Sequence, residues 1–149
     1  MLKRFLPHLC VCLAAACSDD SSPLAPLQDF TYAMATPACG PADGPMVLIY
    51  LATSAFESQP VAPFIQVHIP KSFDDVDAGA VFPVSESFSD ANAWFRGSGV
   101  ERTANGGEVG VTSKSTMVLS GYIDLRFPDG YRLRGSFIAS WVPRQMLCG

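Results

Sequence analysis

His68, in the stretch Phe64-Ile65-Gln66-Val67-His68-Ile69-Pro70, is the only histidine after His8. It is therefore the one downstream side chain whose ordinary pKa suits proton transfer near neutral pH. A hydrolytic triad needs a nucleophile, a base and an orienting group, and the chain has no Gly-x-Ser-x-Gly turn to present a serine. Gly97-Ser98-Gly99 reads as a flexible turn, and His68 as a strand residue facing solvent. Zinc asks for three or four closely spaced ligands, more than one histidine and two bridged cysteines can supply. Asp74-Asp75-Val76-Asp77-Ala78-Gly79 has the oxygen-rich opening of a calcium loop. It lacks a third regularly spaced acid, and Glu86 reaches the twelfth position only when Asp75 is counted first, so a solvated acidic loop is expected. Glu57, Glu86, Glu101 and Glu108 are too scattered to imply the paired carboxylates of sugar hydrolysis. Trp94, Phe95, Tyr122, Tyr131 and Trp141 are expected in the core rather than in a ligand groove. Arg126, Arg132 and Arg134 form a basic strip on one strand face, expected to be solvated surface. No catalytic residue, metal site or cofactor is expected.

The remaining reactive residues are cysteines: Cys10, Cys12, Cys17, Cys39 and Cys148. Three of them lie in an unusual front end. Met1 to Arg4 is basic, and residues 5–16 are mostly apolar and end in Ala14-Ala15-Ala16. That is the layout of a secretory signal, and twelve residues fall short of the roughly 20 that a spanning helix requires. The alanines suit ordinary cleavage with release of a soluble protein. The segment Leu13-Ala14-Ala15-Ala16-Cys17 also resembles the lipobox of bacterial lipoproteins, with its leucine one place further back than usual. The resemblance implies that Cys17 is acylated and becomes the first mature residue. Ser18, standing where an aspartate would mark inner-membrane retention in Gram-negative lipoproteins, points to the outer membrane. If residues 1–16 are removed and Cys17 carries lipid, Cys39 and Cys148 remain as one even pair, free to form a disulfide. Such a bridge would enclose about 110 residues, for which loop entropy gives at most about 4.7 kcal/mol.

Residues 18–26, Ser-Asp-Asp-Ser-Ser-Pro-Leu-Ala-Pro, are too polar and proline-rich to bury a core and read as a spacer. Beyond it, 133 residues counted from Cys17 make one domain. The signal carries Lys3 and Arg4, so eight basic residues remain against fourteen acidic ones, a net charge of −6. An acidic chain without a dominant basic surface is a poor binder of nucleic acid.

No helical stripe appears. Short β-rich runs recur at 30–35, 46–53, 64–69, 79–83, 93–97, 108–112, 116–127 and 131–142, separated by Gly, Pro, Asn and Asp. This pattern predicts a sandwich or barrel. Pro83 marks an edge strand or a strand end, and Asn105-Gly106 suits a tight reversal. In the last hairpin, Pro128-Asp129-Gly130 supplies a turn ending at positive φ. Pairing Phe127 with Tyr131 then sets Leu125 opposite Leu133 and Asp124 opposite Arg134.

The runs AGAVFPV, NAWFRG, GGEVGVTS, LSGYIDLRF and LRGSFIASW, between Gly79 and Cys148, are similar to those of small secreted bacterial lipoproteins expected to be β-sandwiches. The expectation is a signal at 1–16, a tether at 17–28 and a single antiparallel β-sandwich at 29–149. It would hang from the envelope by an acyl anchor at Cys17 and bind another envelope protein or a glycan without catalysis. The alternatives are an inhibitor of a secreted or periplasmic hydrolase, presenting Lys71 to Gly79 as a rigid loop, and a small envelope hydrolase using His68 or two carboxylates.

Overall fold

The computed structural model describes residues 27–87, 89–146 and 148. The expected signal and all but the last two residues of the expected tether, including Cys17, lie outside the described residues. The chain builds β1 (Tyr32–Cys39), β2 (Pro45–Ala52), β3 (Phe64–Ile69), β4 (Val81–Pro83), β5 (Asn92–Gly97), β6 (Val100–Thr103), β7 (Gly106–Lys114), β8 (Val118–Arg126) and β9 (Arg132–Trp141). A 3₁₀ turn, Pro41–Asp43, joins β1 to β2.

The protein is all-β, but its strands are not arranged as two antiparallel sheets. They form one mixed nine-stranded sheet in the order β4-β7-β8-β9-β1-β2-β3-β5-β6. Every ladder is antiparallel except that between β1 and β9, where Met34 faces Ser140 and Ala35 faces Trp141. This seam joins an N-terminal meander to a C-terminal one. The outer strands β4 and β6 share no ladder among the described residues, and an isolated parallel bridge links Val84, just after β4, to Ala91, just before β5.

One face carries the core because the strands alternate with period two. In β8, Leu119, Ile123 and Leu125 are fully buried, whereas Ser120, Tyr122 and Asp124 point the other way and are half-buried. Ala35, Val47, Ile49, Leu51, Ile65, Val67, Ala93, Val109 and Phe137 join the same hydrophobic cluster. A flat sheet cannot pack one face against itself, so a shared cluster drawn from both meanders requires the sheet to curl. Each fully buried Ile or Leu contributes roughly 1.5–3 kcal/mol of transfer free energy. Behind β1, β2 and β3, a smaller cluster of Met34, Tyr50, Ala52 and Phe64 is covered by Phe56 and Ala62.

Two plugs fill the curl at opposite ends of β9. At one, Phe95 packs edge-on to Phe30 and tilted against Tyr131, which meets Phe127. Arg102 sits 5.5 Å over Phe95 and 5.4 Å over Tyr131 while pairing with Asp129 at 2.6 Å. At the other, residues 70–80 send Val76 fully into the core and stack Phe73 on Trp141 at 3.7 Å. Lys114 Nζ donates to the carbonyls of Phe73 and Asp74 at 3.0 and 3.1 Å.

The last hairpin has the expected register, with Leu125 opposite Leu133 and Asp124 opposite Arg134. Gly130 takes φ +83°, and Phe127 N–H donates to the Tyr131 carbonyl at 2.9 Å. Asn105-Gly106 does not reverse the chain. It carries the backbone from β6 across to β7 at the opposite flank of the sheet, and Asn105 N–H bonds the Arg126 carbonyl at 2.9 Å. The reversal lies at Ser98-Gly99, where Gly99 has φ +78° between β5 and β6. β6 itself, a short charged edge strand, has no counterpart among the expected runs.

Cys39 and Cys148 are brought to bonding distance, with Cα atoms 5.5 Å apart across 109 residues. Replacing both by alanine is expected to cost about 2–5 kcal/mol and to lower the thermal midpoint by roughly 10 °C; an unchanged midpoint under non-reducing conditions would refute a stabilising bridge. Gly107 has φ +116°, and an added Cβ would run into the Asp124 carbonyl oxygen. Gly107→Ala should therefore lose about 3 kcal/mol in urea unfolding.

Candidate functional site

The outward-facing residues of β3 and β5 form the first polar group. Ile65, Val67 and Ile69 take the core face, so Gln66 and His68 share the other. Cross-strand register sets Tyr50, Gln66, Trp94 and Thr103 in one row and Leu48, His68 and Asn92 in the next. The His68 ring leans on Trp94, with centroids 4.6 Å apart. The Gln66 amide nitrogen lies 2.6 Å from His68 Nε2. Pairing donor with acceptor there places the ring proton on Nδ1. Burial pushes the His68 pKa down to about 4, helped by the positive charge of Arg96. Arg96 itself sits over Phe64 at 5.9 Å and 3.6 Å from Glu101. His68 is thus a half-buried neutral ring held by an amide and an indole, not the solvent-facing residue expected. The side chains that hold it offer neither a nucleophilic oxygen nor an orienting carboxylate.

The second group lies on the outer face of β7, β8 and β9. The β7–β8 ladder shifts by one residue between Val111 and Ser113. Because of that bulge, Glu108 stands opposite Asp124; without it, Glu108 would face Leu125, whose side chain belongs to the core. Two carboxylates thus meet across a strand pair, which sequence spacing could not reveal without knowledge of the bulge. Asp124 accepts from Arg132 Nε at 2.9 Å and Nη2 at 2.6 Å, and Arg134 Nε lies 3.6 Å away. The Arg132 hydrogen bonds hold the Asp124 carboxyl below its usual range, against the opposing effect of burial. The partner expected from direct cross-strand pairing, Arg134, is therefore second to its diagonal neighbour. Tyr122 O–H donates to Glu108 Oε1 at 2.9 Å, and its ring occupies the space over Gly110 where a side chain would collide. Burial and then that bond raise the Tyr122 pKa.

These residues border an open recess of about 340 Å³ lined by Gly107, Glu108, Asp124, Arg126 and Arg132. A second recess of about 440 Å³ adjoins it and shares Arg126 and Arg132, adding Asn105, Phe127, Gly130 and Tyr131. Sugar hydrolysis with two carboxylates needs one of them held protonated by a raised pKa. Asp124 is shifted the other way, and Glu108 already accepts from a phenol. The arrangement suits charge recognition better than proton transfer.

The other candidates are dispersed. Asp74, Asp75 and Asp77 are exposed, with Asp75 accepting from Ser72 Oγ at 2.6 Å. Among the described residues, no three His, Cys, Asp or Glu side chains converge as metal ligands. Glu57 and Glu86 are exposed on separate loops. None of the five aromatics expected in the core is fully buried: Phe95 and Trp141 pack at its rim, Trp94 and Tyr122 lie on the outer face, and Tyr131 is exposed. Comparison of the chain with protein-family models, curated proteins and solved structures returns no match.

The His68 environment makes a pH prediction. Its folded pKa lies below the unfolded value of about 6.5, so the unfolded chain takes up the proton first as pH falls. Stability should be level above pH 6.5 and decline toward pH 4, by about 1–2 kcal/mol once the partial exposure of the ring is discounted. Asp124 acts only at lower pH, because its depressed pKa contributes stability that is lost below the ordinary aspartate range. Urea midpoints at pH 7.5 and 4.5 should differ more for the native chain than for His68→Gln; equal differences would show that the ring has the same pKa folded and unfolded.

Proposed function

We propose that this chain is a lipid-anchored protein of the bacterial envelope, tethered through acylated Cys17, in which the β-domain serves as a non-enzymatic binding module. The observation that carries the reading is the approach of Cys39 to Cys148. A bridge there is at home in an oxidising compartment and leaves Cys17, in its lipobox-like setting, as the unpaired thiol of the processed chain. The position of the domain is consistent with this. Leu27 is already buried, and its N–H bonds the Ser136 carbonyl at 3.2 Å. The nine residues between Cys17 and Leu27 would let the body stand at most roughly 30 Å from the anchored residue. Stable anchoring requires more than one acyl chain, each buried CH₂ contributing about 0.8 kcal/mol. Ser18 after the modified cysteine favours the outer membrane. We also propose that the two meanders act as facing layers, a sandwich-like body with one seam, whose outer faces are left for recognition.

Binding is favoured over catalysis because the side chains best placed for chemistry are engaged: His68 with Gln66 and Trp94, Asp124 with Arg132, and Glu108 with Tyr122. The inhibitor alternative draws less support. The loop that would have to insert into a hydrolase turns Phe73 and Val76 into its own domain.

Mass spectrometry of the mature N-terminus from membrane-extracted protein should show a diacylglyceryl group on Cys17. Cys17→Ala should abolish the modification and shift the protein from the detergent phase to buffer. An unmodified terminus on the native protein would overturn the anchor.

A further inference from the structure

Arg126 and Arg132 face each other directly across the β8–β9 hairpin. Like charges in that position are destabilising, and only one of the two is compensated. Arg132 is fixed by its two hydrogen bonds to Asp124, which leave Nη1 uncommitted. Arg126 is exposed, and among the described residues its guanidinium makes no hydrogen bond or ion pair; it feels the Asp124 charge only from a distance. It lies across Gly106, where an added Cβ would come within 3.1 Å of Nη2. The backbone beneath is held by the bond from Asn105 N–H to the Arg126 carbonyl. The opposite wall is the Tyr131 turn, pinned by Arg102 through its pairing with Asp129 and its place over the Tyr131 ring. Four of the eight basic residues downstream of residue 16, Arg102, Arg126, Arg132 and Arg134, thus gather around one end of an otherwise acidic chain.

We infer that this recess, about 440 Å³ and lined by Asn105, Arg126, Phe127, Gly130, Tyr131 and Arg132, binds a carboxylate carried on a ring-sized group, as in a uronic acid unit. The carboxylate bridges the Arg126 fork and Arg132 Nη1, relieving the repulsion between them. A single negative charge fits better than a phosphate dianion. Arg126, Arg132 and Arg134 stand against Asp124 and Glu108, a local net charge of +1, and the two carboxylates would repel a second negative charge. The exposed Tyr131 ring supplies an apolar wall for the ring carrying the anion, and the Asn105 side chain can bond its hydroxyls. The ligand class rests on the reading of the domain as a binding module, whereas anchoring at Cys17 is tested separately and can fail without affecting it.

The test is calorimetric titration of the full chain, as purified from the cells that express it, with sodium glucuronate, glucose or inorganic phosphate at low salt. Glucuronate should bind with a Kd of about 1 mM or tighter, glucose and inorganic phosphate should bind at least tenfold more weakly, and 0.5 M NaCl should weaken glucuronate binding severalfold. Arg126→Gln should lose at least tenfold in glucuronate affinity while leaving the thermal midpoint of the unliganded protein unchanged or raised, because it removes the unrelieved charge. No glucuronate binding, equal binding of inorganic phosphate, or undiminished binding by Arg126→Gln would overturn the inference. A lower unliganded midpoint for Arg126→Gln would overturn the bridging argument on which it stands.

Discussion

The molecule depends on a two-residue seam. β1 and β9 come from opposite ends of the domain, and their parallel contact at Met34–Ser140 and Ala35–Trp141 is, among the described residues, the one ladder joining the two meanders. A parallel ladder this short is weak by itself. It is extended by side-chain and backbone bonds: Val142 N–H donates to the Ala35 carbonyl, and Thr36 Oγ1 to that of Val142. Beyond it, Cys39 and Cys148 come together at the end of the same two chain segments. Pro37, which cannot donate to a ladder, falls just past the paired residues, where β9 no longer requires it. The shared core then ties the two halves together, because residues of both meanders contribute to one hydrophobic cluster.

The curled sheet also sets what the surface displays. With one face of the sheet committed to the core, the polar half of strands such as β8 is displayed outward in fixed register, whereas β1, β2 and β3 bury a second apolar cluster on their other face. The outer face of the N-terminal meander is partly covered by Phe56 and Ala62 and carries a desolvated His68 group. The outer face of the C-terminal meander is open and carries charge. The Glu108–Asp124–Arg132 arrangement is rigid because each member is anchored in a ladder, and the bulge near Val111 decides that the two carboxylates lie on the same face. Recognition of charge by groups already held in place, as Asp124 and Arg132 are, would require little reorganisation on binding.

Much of the fold is legible from side-chain alternation. The hairpin of Asp124, Leu125, Leu133 and Arg134 follows from a local turn and the period of two, and both are short-range properties. β3 is bounded by its own residues for the same reason. Other features resist local reading. β6, Val100–Thr103, is short, charged and paired on one side only, so it lacks the apolar alternation that identifies a strand. Asn105-Gly106 has the composition of a tight turn, yet the chain crosses the domain there, because whether a turn reverses depends on which strand the next segment finds. The preference of Asp124 for Arg132 over Arg134 arises from the reach and twist of the hairpin, which register alone does not specify.

The amino-acid sequence by itself determined that this is an acidic, all-β, strand-and-turn chain. Those are properties of composition and nearest neighbours. Only the tertiary structure decided that the strands make one mixed sheet instead of two antiparallel ones, that the first and last strands run parallel, and that Arg126 confronts Arg132 at the mouth of a recess with Tyr131 as its wall. Each of these depends on pairing between residues distant along the chain. Such pairing is selected by the total burial of both meanders and not by the preference of any single segment.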